Sequence, residues 1–248
     1  MKEQLLQRLH SVRTMSIVGM CKNAGKTTML NWLLEQGRLQ GTLGLTSIGR
    51  DGESTDVVTG TEKPGIFVRE GTLIATAQDM LRLGDITREI LMTTGIPTPL
   101  GEVVIVRARS AGYVQLAGPS ITTQLKTVSH AFFDLGADIS IIDGALGRKS
   151  LGARAVAEGK CDRGIVICTT GIGISIAANK VKGIRCALCS DSLSAEMTRR
   201  HNDANIIAMG AGIVGPNLAK RMVEVFLNTE FEGGRHARRV GLLDTIQP

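Results

Sequence analysis

Two kinds of apolar pattern alternate along this chain. Short runs of small and β-branched residues read as strands: "MSIVGM", "GEVVIVRAR", "YVQLAG" and "DISIID", then "GIVIC", "IRCALC" and "NIIAMG". Most lead into stretches whose apolar positions recur three and four apart, such as "KTTMLNWLLEQ" and the segment beginning near Ser120. Strand followed by helix, repeated almost throughout, predicts an α/β fold, a parallel β-sheet with helices on both faces. The opening "MKEQLLQRLHSVRT" spaces Leu5, Leu6, Leu9 and Val12 at helical intervals and predicts an amphipathic helix rather than a signal peptide. No apolar run approaches the roughly 18 to 20 residues that cross a bilayer.

The chain has 248 residues, enough for one large α/β domain or two small ones. The Gly- and Arg-rich "GALGRKSLGAR" is the best boundary, dividing residues 1–152 from 153–248, although a loop inside one continuous sheet reads the same way. Five cysteines without a secretory signal suggest free thiols in a reducing, cytoplasmic setting. Cys186 and Cys189 form a C-x-x-C, but in a strand residues three apart face opposite ways, which argues against a zinc site. A net charge of +6 favours anionic ligands. Aromatics make up only 3%, so stacking of single-stranded nucleic acid is not expected, and small phosphates are the better partners.

The strongest local signal in the first part is "GMCKNAGKTT". A loop that leaves a strand and enters a helix presents backbone N–H groups, and Gly25 lets that backbone approach a phosphate closely. Lys22, Asn23, Ala24, Gly25, Lys26, Thr27 and Thr28 would cradle a nucleotide, Lys26 reaching its β and γ phosphates and Thr27 binding magnesium. The spacing departs from the strict pattern, because Met20 occupies the first-glycine slot and Gly19 comes one residue early. Asp143, ending "DISIID", stands where a second magnesium-orienting carboxylate is needed, and Asp51 and Glu53 in "TSIGRDGE" occupy a loop suited to a metal-linked role or to a solvated turn.

Together with "GTLIATA", "TPLGEVVIVRARSAGYVQLAGPS" and "IIDGALGRKS", these motifs resemble a family of small P-loop ATPases related to the dethiobiotin-synthetase-like group. The resemblance covers residues 1 to about 152. It implies ATP and magnesium as cofactors and a role in reactivating a partner enzyme.

In the second part, "GIVICTTGIGISIAANK" places a cysteine at the end of a strand, then a glycine-rich loop, then a helix beginning near Ser175. A thiol there is suited to proton abstraction, because helix N-terminal dipoles and N–H groups stabilise a thiolate, and the same donors hold an enediolate oxyanion. The alternative for a buried cysteine is a small hydrophobe. The stretch "GIGISIAANKVKGIRCALCSDSLSAEMTRRHNDANIIAMGAGIVGP" continuing to "EFEGGRHARR" resembles the B-type ribose-5-phosphate isomerases, a family that includes galactose-6-phosphate isomerase subunits. This resemblance runs from about Arg154 to the C-terminus.

It implies a Rossmann-like three-layer fold, no cofactor, a sugar-phosphate substrate and a site shared by two subunits of a homodimer. Cys168 would be the general base, with Thr170 and the Gly171–Gly173 backbone stabilising the enediolate and Ser175 lining the site. His201 would assist ring opening, Asn202 would contact the sugar, and Arg235 and Arg239 would hold the phosphate. Thr169 stands where the family commonly has glycine, and the Ser-Asp-His-Ala-Gly segment that opens the family does not occur here. The chain therefore reads as a chimera-like splice, and "GIVIC" is expected to add beside "DISIID" in one hybrid sheet. Three functions follow: an aldose–ketose isomerase, a nucleotide-dependent partner protein, or a folded hybrid without catalysis.

Overall fold

A computed structural model describes residues 12–19, 25–35, 39, 41–51, 65–144, 151–159 and 161–246. In chain order its strands are β1 (Thr14–Gly19), β2 (Leu43–Ile48), β3 (Arg50–Asp51), β4 (Ile66–Val68), β5 (Leu73–Ala77), β6 (Arg88–Thr98), β7 (Gly101–Ala108), β8 (Gly112–Val114), β9 (Leu116–Ala117), β10 (Ile139–Gly144), β11 (Arg163–Cys168), β12 (Cys186–Leu188) and β13 (Ile206–Gly210). The helices are α1 (Lys26–Leu34), α2 (Thr122–Asp134), α3 (Leu151–Ala157), α4 (Ile172–Asn179), α5 (Ser192–Asn202), α6 (Pro216–Asn228) and α7 (Arg235–Asp244). The fold is α/β with mostly parallel strand pairing, and it divides into two compact units, residues 1–26 with 146–248, and residues 27–145. The N-terminal amphipathic helix expected from the sequence lies outside the described residues.

The first unit holds the parallel strands β12, β13, β11 and β1 in that order. All residues of β1 and β13, and all of β11 beyond Arg163, are buried. Both faces are therefore covered, which is why "GIVIC" and "NIIAMG" are continuously apolar instead of alternating. "GIVIC" does not add beside "DISIID" as the sequence suggested. Its two neighbours are β13 and β1, with Ile165 opposite Ile207 on one side and Ile17 on the other. The N-terminal strand β1 is thus paired in register with β11, from the part that carries the isomerase-like motifs.

Asp162 fastens that pairing. Its Oδ2 accepts the N–H groups of Arg13 (2.9 Å) and Thr14 (2.8 Å) and the Thr14 hydroxyl (3.0 Å), while its own N–H donates to the Thr14 carbonyl at 2.9 Å. At the same end of the sheet, α5 stops at Asp203, whose left-handed φ of 46° is unusual for a residue with a side chain. Its carboxylate is held from both sides, by Arg185 (2.8 Å) and by the fully buried Arg199 (2.8 Å), which also donates to the Ala204 carbonyl at 2.7 Å and lies over the Phe226 ring. The other end of α5 is capped by Asp191, which accepts the Ser194 N–H at 2.7 Å.

The second unit orders its strands β10, β2, β5, β7, β6, the first three parallel and the last two antiparallel. Its core gathers Leu73, Val103, Ile105, Val128 and Phe132 under α2. Gly44 is required there, because a Cβ would stand 2.5 Å from the Phe132 ring. "YVQLAG" is divided into β8 and β9, which pair with β4 and β3 in two small antiparallel ladders. The edge strand β6 is bulged, with register shifts between Ile90 and Met92 and between Thr93 and Pro97.

Replacing Asp162 with Ala leaves the Thr14 and Arg13 N–H groups without their acceptor. Urea unfolding of Asp162→Ala is expected to show a loss of about 1–3 kcal/mol with an unchanged m-value; a loss well below that range would show that Asp162 does not fasten β1 to β11.

Candidate active site

At the C-terminal mouth of β11, Cys168 is 8% exposed and its Sγ accepts the Gly171 N–H at 3.1 Å. The turn is tight because Gly171 adopts φ 79° and becomes the N-cap of α4, which starts at Ile172, three residues earlier than the sequence suggested. A Cβ on Gly171 would lie 2.5 Å from Leu188 Cδ1 and 2.8 Å from the Met209 carbonyl carbon, so only glycine fits. The neighbouring turn after β13 is stapled to this one. Ala211 and Gly212 donate N–H to the carbonyls of Cys168 (2.8 Å) and Thr169 (2.9 Å), and a Cβ on Gly210 would meet Thr170 backbone at 2.5 Å. Thr169 and Thr170 are exposed, and Gly173 is exposed in the first turn of α4. Ser175 is buried, its hydroxyl engaged by the Ile172 carbonyl at 2.7 Å.

His201 lies in the last turn of α5, away from this mouth. In a parallel sheet the helix after a strand returns the chain to the opposite edge, and α5 does so between β12 and β13. The Arg185 N–H just before β12 bonds Asn205 just before β13, which fixes the foot of α5 at the N-terminal edge. Four residue steps along β13, roughly 13 Å at about 3.3 Å each, separate that edge from Gly210 beside Cys168. One chain therefore does not bring Cys168 and His201 together.

His201 is instead part of a second cluster that includes Glu232 and His236, residues the sequence reading did not single out. The two imidazoles stack at 4.2 Å between centroids, 4° from parallel, and each Nε2 is 3.7 Å from Glu232 Oε2. Arg200 grips Glu232 Oε1 at 2.5 Å, which holds that carboxyl below the usual range. Burial, with His201 and Arg235 beside it, lowers His236, whose Nε2 accepts from Arg235 Nε at 3.3 Å. Arg235 and Arg239 are both exposed on the first turns of α7. Asn202 lines a separate cavity of about 390 Å³ with Cys186, Ile184 and Leu243, a set that includes no residue of the Cys168 turn.

Of the nucleotide-binding residues, Lys22, Asn23, Ala24 and the loop residue Glu53 lie outside the described residues. Gly25 takes φ 78° and Lys26 opens α1, followed by Thr27 and Thr28. The Lys26 side chain runs back over β1, its Cγ 2.7 Å from where a Gly19 Cβ would stand. In the second unit Asp143 is buried at the end of β10, and Asp51 belongs to β3.

The C-x-x-C thiols lie at and just beyond β12, Cys189 buried and Cys186 half-buried. Burial pushes the Cys186 thiol up to about 12, with Cys189 adding to the effect, and pushes Cys189 up to about 11, with Asp191 adding. Both thiols are therefore protonated at neutral pH. The four cysteines among the described residues are free thiols. Also among the described residues, no helix is long and apolar enough to cross a membrane.

The family description Ribose/Galactose Isomerase matches residues 119–243. The chain belongs to this family. The likeness begins at residue 119, upstream of the Arg154 start suggested by the motifs, and takes in α2 and β10 as well. Ribose-5-phosphate isomerase B of Escherichia coli K12 is 52% identical over 95 residues, 38% of this chain and 64% of that protein. Ribose-5-P isomerase B of Listeria innocua is 40% identical over 129 residues, 51% of this chain and 86% of the relative. The solved Clostridium thermocellum ribose-5-phosphate isomerase B shares 48% identity over 50% of this chain and 89% of its own, with a TM-score of 0.41. The chain thus spans less than two thirds of the Escherichia coli relative it matches.

The raised thiols fix the sign of an alkaline effect. The folded state keeps protons on Cys186 and Cys189 that the unfolded chain releases above the ordinary thiol value of 9.0, so stability is full below pH 9 and falls as pH rises through 9 towards 11–12. A double Cys186→Ser, Cys189→Ser variant is expected to lose less stability between pH 8 and 10.5 than the parent in urea titrations.

Proposed function

We propose that the chain is an aldose–ketose isomerase acting on a small sugar phosphate of the ribose 5-phosphate type, with Cys168 as the proton-transferring base. The observation that carries this reading is the Cys168 turn: a thiol at a strand mouth, receiving an N–H from a left-handed glycine that starts the next helix. The sulfur takes the proton from C2 of the open-chain aldose and returns it to C1, while the O2 hydroxyl proton moves to O1; no oxidant or cofactor is needed. The donor that stabilises sulfur charge and the first-turn amides of α4 also favour the enediolate, supported by Thr170. Membership of the family over residues 119–243, a range that takes in Cys168, Thr170, His201, Asn202, Arg235 and Arg239, supports the reaction class.

His201 assists ring opening, Asn202 contacts the sugar, and Arg235 and Arg239 take the phosphate, for which planar, permanently charged donors are suited. Since one chain separates Cys168 from His201 by the depth of its sheet, these groups reach a single substrate only from two copies, and the active species is a homodimer with two shared sites.

A second reading has one specific observation in its favour. Lys26 folds back over Gly19, and β1 runs parallel to β11 with Gly19 opposite Ile167, so the Lys26 turn and the Cys168 turn open at the same edge of the first unit. A phosphate, from a nucleotide with magnesium or from the sugar, is the ligand such a turn takes. This supports phosphate binding by the N-terminal segment and with it a nucleotide-dependent partner role.

A coupled assay of ribose 5-phosphate conversion tests the main reading. Cys168→Ser is expected to lower kcat by about 10²–10⁴-fold with little change in substrate binding; equal rates would remove Cys168 as the base. Refolding an equal mixture of Cys168→Ser and His201→Ala chains should restore about a quarter of parental activity, since half the dimers are mixed and each holds one intact site. No restoration would place both residues in one chain's site. For the second reading, titration calorimetry with ATP and magnesium should detect binding to the parent chain and none to Lys26→Ala; equal heats in both would end it.

A further inference from the structure

The cluster at the foot of α5 contains more donor chemistry than sugar-phosphate binding uses. One donor atom from each of His201, Glu232 and His236 lies within 4.8 Å of the others, and each imidazole Nε2 is 3.7 Å from Glu232 Oε2, the three brought together from the last turn of α5, the segment before α7, and its first turn. We propose that these three side chains form a binding site for a borderline divalent transition-metal ion of the zinc class, with a fourth position open to water.

The distances are close to what such an ion demands. Bonds of about 2.0–2.1 Å in a tetrahedral arrangement hold neighbouring donors about 3.4 Å apart. Each imidazole Nε2 already stands 3.7 Å from the carboxylate oxygen, so those two edges close by a few tenths of an ångström. Two imidazoles with one carboxylate and an open position is a donor set that zinc takes in catalytic sites.

The carboxylate is also held in the orientation a ligand needs. Arg200 occupies Oε1 through its Nε and Nη2, both at 2.5 Å, and the Glu232 N–H donates to the Arg200 carbonyl at 3.1 Å. Oε2 is left turned towards the imidazoles, and a partner of this kind, one step removed from the metal, is what fixes ligating carboxylates. Access is open on one side: the His201 and Glu232 side chains are 39% and 37% exposed, whereas His236 is buried and positions its ring by packing.

Two costs oppose binding. The rings lie parallel, so their lone pairs do not yet converge, and His201, the exposed one, must turn about its Cβ–Cγ bond, a broad and soft torsion. Arg235 donates to His236 Nε2 and must swing aside; it is exposed and free to do so. Both His201 and Arg235 belong to the proposed sugar-phosphate site, so metal and substrate exclude one another. That last consequence rests on the proposed isomerase activity, whereas metal binding itself does not.

The test uses the full chain, stripped of metal, titrated with Co²⁺ and followed by visible absorption. One Co²⁺ per chain is expected, with the strong d–d bands of four- or five-coordination, no thiolate charge-transfer band, and displacement by Zn²⁺. Glu232→Gln keeps a contact for Arg200 and is expected to weaken Co²⁺ binding at least 10-fold, as is His236→Asn, with far-ultraviolet circular dichroism unchanged for each. Because His236 is buried, the exposed Glu232→Gln decides the matter if His236→Asn fails to fold. Equal affinity in the parent and Glu232→Gln, or a cobalt spectrum of thiolate ligation, would overturn the proposal. In the ribose 5-phosphate assay Zn²⁺ should raise the apparent KM of the parent at least threefold more than that of Glu232→Gln; a chain with no isomerase activity would still give the cobalt result.

Discussion

The direction shared by the strands of a parallel sheet is the constraint on which the chemistry of this molecule depends. In the first unit β12, β13, β11 and β1 all run the same way, so whatever follows a strand collects at one edge and whatever precedes one collects at the other. Cys168, Gly171, Gly210 and the start of α1 belong to the first group; Arg185, Asp203 and the His201 cluster belong to the second. Under the proposed isomerase reading, a general base and a ring-opening histidine at opposite edges are halves of two sites that a second copy would complete.

Legibility in the sequence follows the same physics. β1, β10, β11 and β13 are buried almost throughout and mostly apolar because both faces are covered, and such runs stand out in a one-dimensional reading. β6 did not stand out: "REILMTTGIPT" carries Gly95 and Pro97 and is half exposed, and it is a strand because β7 pairs with it. The neighbour of "GIVIC" was misjudged for a related reason. Which strand lies beside which is a tertiary choice, and here Asp162, one residue before β11, fastens it to Thr14 at a sequence distance no local pattern records.

The candidate site was legible where chemistry and backbone coincide. A cysteine ending a strand, followed by glycine, marks the Cys168 turn, and Gly171 confirms its geometry by the left-handed angle it adopts. The partners of His201 were not legible, since Glu232 and His236 lie 31 and 35 positions further on and meet it only when α7 folds against the foot of α5. The αL residue Asp203 is similar. Nothing in "RRHNDAN" announces that two arginines, one fully buried, will clamp its carboxylate and offset the strain of its backbone.

The irregularity of β6 bears on how the protein behaves at high concentration. An outermost strand with unpaired amides and carbonyls invites neighbouring molecules to continue the sheet, and Ile90 and Met92 on its surface would reward them. Two breaks in register and a proline, which has no amide hydrogen to offer, interrupt that row. Fibrous stacking through this strand is thereby discouraged, leaving association to surfaces elsewhere on the molecule.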